Sequence, residues 1–234
     1  MEIRISIPPK SVLLRLIIFA VVLIVISVIL QLAIYLFGYE DGFRLVRLFH
    51  VDEEKNIPAV FSVGLLLGAA LLLAIIGAAE WEQANSMRVY WLVLSAGFTL
   101  MAIDEGLSFH ESLDMPMRSV LAYVGIEDFY YAWIVPAALL TILLFLFFLR
   151  FLAYLPRATR TAFLVAGAFY LSGALLLEFL AGRYAKINGE YNLTYSMMAT
   201  VEESLEIIGS LLFIWALLTY LMNRYKQVTL NLHF

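Results

Sequence analysis

Six long apolar segments constrain the fold of this chain more than any other feature of its sequence. A hydrocarbon core about 30 Å thick is crossed by a helix of about 20 apolar residues, and each of the six segments reaches that length. They cover approximately residues 12–37, 58–79, 88–112, 130–152, 161–183 and 195–222. We therefore predict an all-α polytopic membrane protein, with six transmembrane helices in a bundle that forms a single domain over residues 1–234.

The composition agrees with this fold class and excludes several others. Hydrophobic residues make up 63% of the chain and charged residues 15%, whereas soluble domains have about 45–50% and about 25%. A net charge of -4 provides no basic surface for nucleic acid. The absence of cysteine excludes disulfides, thiolate metal sites and cysteine nucleophiles. Three histidines, His50, His110 and His233, are too few for a bis-histidine haem bundle.

The positions of the basic residues predict the orientation in the membrane. The loop between the fourth and fifth segments contains Arg150, Arg157 and Arg160 and no acidic residue. An even number of crossings returns the C-terminus to the side of the N-terminus. We therefore expect both termini in the cytoplasm of a multi-pass protein of the cell inner (plasma) membrane. The lipid bilayer surrounds such a protein, and another membrane protein or a second copy of the chain is the candidate protein partner.

Acidic residues inside the apolar segments are the informative exception to the hydrophobic pattern. A carboxylate at the centre of a bilayer costs at least ~2.5–3.5 kcal/mol, so such residues usually face the protein interior and have a function. With alternating crossings, the third, fifth and sixth segments bring their acids to the same, outer half of the membrane. These acids are Asp104, Glu105, Glu111, Glu178, Glu202, Glu203 and Glu206.

Helical periodicity predicts which of these acids share a face. On an unbroken third helix, Asp104, Ser108 and Glu111 follow each other at i, i+4 and i+7 and form one stripe. Glu202 and Glu206, at i and i+4, form a stripe on the sixth helix. We expect the two stripes to face each other across one site.

Helical periodicity does not decide whether the remaining polar residues near the site belong to it. Glu105 and His110 point to opposite sides of the first stripe, where they either flank the site or contact neighbouring helices. Glu203 lies off the second stripe and is expected to pair with another helix. His50 and the acids at 52–54 are interpreted as a solvated loop, with a lid over the site as the alternative.

Charge balance limits what this acidic cluster can be. The acids must be protonated, neutralised by metal ions, or paired with bases of another chain. An oxygen-rich set with one histidine suits Fe, Mn or Zn if the histidine binds, and Ca or Mn if it does not. We therefore predict a divalent metal ion as the cofactor, although the absence of Glu-x-x-His argues against a standard di-iron centre. The candidate ligands are Asp104, Glu105, His110, Glu111, Glu178, Glu202 and Glu206.

The sequence leaves the biochemical class open. It contains no phosphate-binding glycine loop, no G-x-S-x-G elbow and no H-E-x-x-H motif, so we assign no catalytic residue. A metal-binding protein that acts on a lipid-soluble substrate, such as a quinone or a lipid, is the first hypothesis. A proton- or cation-coupled transporter and a non-catalytic subunit of a larger membrane complex are the alternatives.

Three motifs resemble those of a known group of proteins. They are EEKNIPAVFS at the start of the second segment, AIDEGLSFHE in the third and VEESLEIIG in the sixth. Together they resemble an uncharacterised family of multi-pass bacterial membrane proteins, which has a DE…HE motif in one span and an EExxE motif in the last. The resemblance implies a bacterial inner membrane location and a single unit formed by these acids. It implies no particular activity.

Overall fold

Apolar runs of this length fold as helices because a backbone inside hydrocarbon must satisfy its own hydrogen bonds. The computed structural model describes residues 2–3, 9–39, 44–126, 129–225 and 230–231, and it is an all-α bundle. His233 lies outside the described residues. The helices are α1 (Pro9–Phe37), α2 (Leu45–Phe49), α3 (Ile57–Glu82), α4 (Arg88–Leu107), α5 (Phe109–Ser112), α6 (Asp114–Tyr123), α7 (Ile134–Tyr154), α8 (Arg157–Leu171), α9 (Glu178–Asn188) and α10 (Leu193–Arg224). A π-helical segment, Ser172–Leu177, joins α8 to α9, and the two-residue strands β1 (Glu2–Ile3) and β2 (Leu230–Asn231) pair antiparallel.

Among the described residues, five helices are long and apolar enough to cross a membrane. They are α1, α3, α7, the continuous run from α8 through the π-helical segment to α9, and α10. The sixth candidate is a bent pair in which α4 is followed by α5 and α6 at an angle of 73°. The protein is therefore an all-α polytopic membrane protein, as the apolar segments predict.

The bend after α4 corrects the prediction of an unbroken helix over 88–112. Ser108 ends the helix because its backbone is left-handed, with φ of 52°. The carboxylate of Asp104 accepts a hydrogen bond from the backbone N–H of His110 at 2.9 Å, which satisfies a donor that the break leaves free. The predicted stripe through Asp104, Ser108 and Glu111 is therefore wrong, because these residues do not belong to one helix.

Helix α10 is the central helix of the bundle and packs against α1, α3, α8, α9 and the π-helical segment. Half-way along it, aromatic side chains fill the core. Phe213 stacks on Phe98 with ring centroids 4.6 Å apart and contacts Phe163 at the same distance. The fully buried Trp91 packs nearby against Phe163. This aromatic layer separates the two ends of the bundle.

Two glycines allow the chain before α9 to approach α10 closely. A Cβ atom on Gly173 would lie 2.6 Å from the backbone oxygen of Glu202. A Cβ atom on Gly209 would lie 2.6 Å from the backbone nitrogen of Tyr170. Small residues permit such backbone approach between membrane helices. The contact at Gly173 brings the start of the π-helical segment against the acidic part of α10.

Candidate functional site

An acidic cavity of about 760 Å³ lies at the end of the bundle where α4 ends and α10 begins. Its walls come from α1, the α2–α3 loop, the bend after α4, the segment before α7, the start of α9 and the start of α10. Among the described lining residues there are two histidines, His50 and His110, and no lysine or arginine. The acids that line the cavity are Asp52, Glu53, Glu54, Glu105, Glu111, Asp114, Glu178, Glu190, Glu202 and Glu203.

The structure brings most of the predicted ligands to this one cavity. Those that line it are Glu105, His110, Glu111, Glu178 and Glu202. The other two predicted ligands do not line it: Asp104 contacts the ring of His110, and Glu206 lies deeper, in hydrogen-bonding contact with Tyr170. The third, fifth and sixth apolar segments thus converge at one end of the bundle. Whether their acids bind metal stays a prediction.

The pair of Asp104 and His110 is the most defined feature of the cavity wall. One carboxylate oxygen of Asp104 lies 2.9 Å from Nδ1 of His110, and the other accepts the backbone N–H of the same residue. The imidazole also packs against the ring of Trp133, with centroids 4.6 Å apart. A neutral ring that donates from Nδ1 presents the lone pair of Nε2. Carboxylates orient metal-binding histidines in this way.

Two pairs of carboxyl groups contact each other at the cavity. Glu178 at the start of α9 is in hydrogen-bonding contact with Glu202 of α10. Glu54 of the α2–α3 loop is in the same kind of contact with Glu111 of α5. Two carboxyl groups attract each other in this way only when a proton or another cation lies between them. Each pair is therefore a place where a cation is required.

The loop after α2 forms a wall of the cavity, and its acids at 52–54 are exposed, as expected for a solvated loop. His50 is anchored by a 3.0 Å contact between its Nε2 atom and Oγ of Ser196 on α10. The side chain of Asn56 donates to the backbone oxygen of His50 at 2.6 Å and caps α3 by accepting the N–H of Ala59. These contacts hold the acids at 52–54 against the cavity.

The environment of this loop changes the protonation of its side chains. Burial, followed by the negative charge of Glu178, raises the pKa of Asp52 to about 7. Burial and then the neighbouring Glu111 raise the pKa of Glu54. Burial lowers the pKa of His50, which keeps its ring neutral at pH 7. Each of these three shifts favours the neutral form of the side chain.

Two other acids of the cavity have donors of their own. Asp114 accepts from the guanidinium of Arg118, with Nη2 and Oδ2 separated by 2.7 Å. Glu190 accepts from the hydroxyl of Tyr131 at 3.0 Å, and that hydroxyl lies 2.7 Å from the hydroxyl of Tyr195. Burial, together with the hydrogen bond to Tyr195, raises the pKa of Tyr131, so it remains a donor. These two acids have less need of a cation than the paired carboxyl groups.

Sequence reasoning did not assign part of this cavity, and it offered the acids at 52–54 only as an alternative lid. The acids at 52–54, together with Asp114 and Glu190, lie in or beside loops, where hydrophobic periodicity gives no position. The available signal was the run of three acids next to His50, directly before an apolar segment. Glu203, expected to pair with another helix, also lines the cavity.

Within the described ranges, no three histidine, aspartate or glutamate side chains are arranged as a group that could hold a metal ion. The contacts in the cavity are pairwise: Asp104 with His110, Glu178 with Glu202, and Glu54 with Glu111. A metal ion with three or more protein ligands would require some of these side chains to rotate.

A second buried carboxylate, that of Glu80 near the end of α3, lies beyond the aromatic layer at the opposite end of the bundle. Its side chain is fully buried. It accepts hydrogen bonds from the hydroxyls of Tyr225 at 2.7 Å and Tyr220 at 3.1 Å, and from the side chain of Asn85. Nε of Arg224 lies 3.5 Å away. We call these five residues the Glu80 cluster; it ties the end of α3 to the end of α10.

Comparison with known proteins places the chain in a family. A family model described as a domain of unknown function, DUF8692, matches residues 13–221. The chain therefore belongs to this family of unknown function. No curated protein and no solved structure matches it.

Proposed function

We propose that this DUF8692 protein binds a divalent metal ion in the acidic cavity, with His110, Glu111 and Glu178 as the central ligands. The observation that carries the proposal is the Asp104–His110 pair. Its 2.9 Å contact occupies Nδ1 and leaves Nε2 of a cavity-lining ring for a ligand. This is the arrangement in which a carboxylate orients a metal-binding histidine.

The charges around His110 support a cation at this place. The carboxylates of Glu178 and Glu111 are close enough to interact electrostatically with the imidazole. A divalent ion would replace the protons that the Glu178–Glu202 and Glu54–Glu111 pairs otherwise share. The rotation of Glu111 and Glu178 toward Nε2 would convert pairwise contacts into a common coordination sphere.

The donor set supports a choice of metal. One imidazole nitrogen with several carboxylate oxygens suits Fe, Mn or Zn, while Ca is favoured if the ring does not bind. Soft Cu(I) is disfavoured, because the chain has no cysteine and the described lining offers one thioether, that of Met115, among ten hard carboxyl groups.

We place the protein in a bacterial inner membrane, with both termini in the cytoplasm. The support is the basic loop between α7 and α8, with Arg150, Arg157 and Arg160, at the end opposite the acidic cavity. In this orientation the cavity faces the outside of the cell. The metal would then be taken from the periplasmic or extracellular side.

A cation-coupled carrier is the second candidate function. It is favoured by the asymmetry of the bundle, because the acidic cavity lies at one end and the Glu80 cluster holds the other end together. A carrier would have to open the aromatic layer and separate α3 from α10 at Glu80. Uptake of Mn²⁺ or Zn²⁺ by proteoliposomes, or acidification of their lumen, would distinguish a carrier from a protein that only binds the ion.

The test of the proposal combines elemental analysis with thermal unfolding of the purified protein. We expect about one equivalent of a divalent metal, and a chelator should lower the unfolding midpoint more at pH 8 than at pH 5, because protonated carboxyl groups bind metal poorly. A metal at a hundredfold excess over its Kd contributes ~2.7 kcal/mol.

The variant pair Glu178→Gln and Glu190→Gln sharpens this test. Glu178→Gln should abolish the chelator effect, because it removes a proposed ligand. Glu190→Gln should retain it, because that acid is bound by Tyr131. A wild-type midpoint that chelators leave unchanged at pH 8, together with less than about a tenth of an equivalent of metal, would overturn the proposal.

A further inference from the structure

A shallow groove of about 560 Å³ lies between α8 and α10, at the end of the bundle away from the acidic cavity. One wall is the first half of α8, and the other is formed by side chains of α10. Apart from Arg157 at its end, the side chains that shape the groove are small or apolar. They are Ala158, Thr161, Ala162, Leu212 and Trp215.

The groove exists because of the residue sizes on the two helices. Ala158, Thr161 and Ala162 lie on one face of α8 at helical spacing and leave room above the backbone. Leu212 and Trp215 of α10 extend beside this face. The groove continues inward as far as position 165, eight residues after Arg157, which is about 12 Å along a helix. It therefore covers less than half of a hydrocarbon core about 30 Å thick.

The end of the groove is positively charged. Arg157 begins α8, and Arg150 and Arg160 lie nearby in the sequence, at the end of α7 and in the first turn of α8. No aspartate or glutamate occurs from residue 129 to residue 177. In the described part of the chain, the ion pairs recorded involve Asp104, Asp114 and Glu80, and none of them includes Arg157. The first turn of α8 also lacks an acidic side chain that would offset the positive helix end.

We propose that this groove binds one anionic phospholipid, with its phosphate at Arg157 and part of an acyl chain between α8 and α10. The occupant must be apolar along the groove and negative at the end, and it must reach the groove from within the membrane. An anionic lipid meets these three requirements. Basic pockets between membrane helices on the cytoplasmic side bind such lipids.

Native mass spectrometry of the full-length protein in detergent tests the proposal, with phosphatidylglycerol and phosphatidylcholine added in parallel. We expect one phosphatidylglycerol molecule to be retained in preference to phosphatidylcholine. Arg157→Gln should weaken this binding about fivefold, the factor that corresponds to ~1 kcal/mol for one arginine near anionic lipid. Ala162→Trp should weaken it at least as much, because the indole fills the space for the chain.

Two controls make the result decisive. Arg150→Gln removes a charge at the same end, outside the groove, and should weaken the binding less than Arg157→Gln does. If it weakens binding as much as Arg157→Gln, the attraction is diffuse and the site is refuted. If Ala162→Trp folds and binds as the wild type does, no chain lies in the groove and the proposal fails. Should Ala162→Trp not fold, the milder Ala158→Leu substitution provides the same comparison.

Discussion

The acidic cavity and the Glu80 cluster both place carboxylates inside a membrane protein, and they do so in opposite ways. Glu80 is one buried acid with donors from Asn85, Tyr220 and Tyr225 and a nearby Arg224. The cavity has many acids, and two of its pairs contact each other instead of a donor. A buried acid whose acceptors are all satisfied stabilises a helix junction, whereas two acids in contact require a shared proton or a bound cation.

The side chains that surround each group of acids explain this difference. Around Glu80, the ends of α3 and α10 provide amide, hydroxyl and guanidinium donors within reach of one carboxylate. Around the cavity, the described lining residues include ten acids but no lysine or arginine, and the imidazole of His110 is already held by Asp104. We therefore expect substitution of Glu80 to cost much more stability than substitution of the paired acids at the cavity.

The largest effect is expected at Glu80. Glu80→Ala should lower the free energy of unfolding by about 2–4 kcal/mol, because it leaves the hydroxyls of Tyr220 and Tyr225 without their acceptor. Chemical denaturation in detergent measures it. Glu82→Ala, an exposed acid at the end of the same helix, is the matched control and should stay within about 0.5 kcal/mol. Equal effects of the two substitutions would remove the distinction between the cluster and ordinary surface acids.

A smaller loss is expected where the π-helical segment meets α10. Gly173→Ala would place a Cβ atom 2.6 Å from the backbone oxygen of Glu202, and overpacking of this kind costs about 1–3 kcal/mol. Gly167→Ala in α8 is the control, because a Cβ atom there meets nothing within 4 Å. The same denaturation assay compares them. A Gly173→Ala protein as stable as the Gly167→Ala protein would show that the close approach is not needed.

Removal of the carboxyl pair should change the stability of the metal-free protein little. In chelator at pH 8, the double variant Glu178→Gln with Glu202→Gln should unfold within about 1 kcal/mol of the wild type, because two amides hydrogen-bond without a shared proton. Glu80→Gln should be clearly less stable under the same conditions. A loss at the cavity equal to that at Glu80 would indicate that the carboxyl pair is a structural junction.

The smallest effect concerns the protonation of Asp52. Its pKa of about 7 in the folded protein lies above its ordinary value of 3.8. The stabilisation from its protonation is therefore complete below about pH 4 and is lost as the pH rises through 7. The unfolding midpoint of the metal-free wild type should fall between pH 5 and pH 8, and that of Asp52→Asn should fall less. If the unfolding midpoints of the two proteins fall by the same amount between pH 5 and pH 8, the result contradicts this account.

Much of the fold follows from the sequence, because hydrophobic length alone identifies membrane helices. The break after α4 does not follow from it, since residues 88–112 are apolar enough to continue. Only the capping of the next turn by Asp104, together with the left-handed backbone at Ser108, produces the bend. Local polar contacts that compete with a helix leave almost no signal in a hydropathy pattern.

The candidate site was predictable in part for the same reason. Because successive apolar segments cross the membrane in alternating directions, Glu105, Glu178 and Glu202 are expected at one end of the bundle, and no contact needs to be known for this. The partners of individual side chains depend on loop conformation, which periodicity does not describe. Glu80 was missed because the second apolar segment was expected to end at residue 79, so its burial at the helix end was not foreseen.

The most direct test of the central claim is to locate the ion. Crystals of the protein soaked in Mn²⁺ should give an anomalous difference peak in the acidic cavity, within about 2.5 Å of Nε2 of His110, and next to a carboxylate oxygen of Glu111 or Glu178. The peak should be absent from crystals of the Glu178→Gln variant prepared in the same way. A peak only at the protein surface, or none in the cavity at saturating Mn²⁺, would contradict the account.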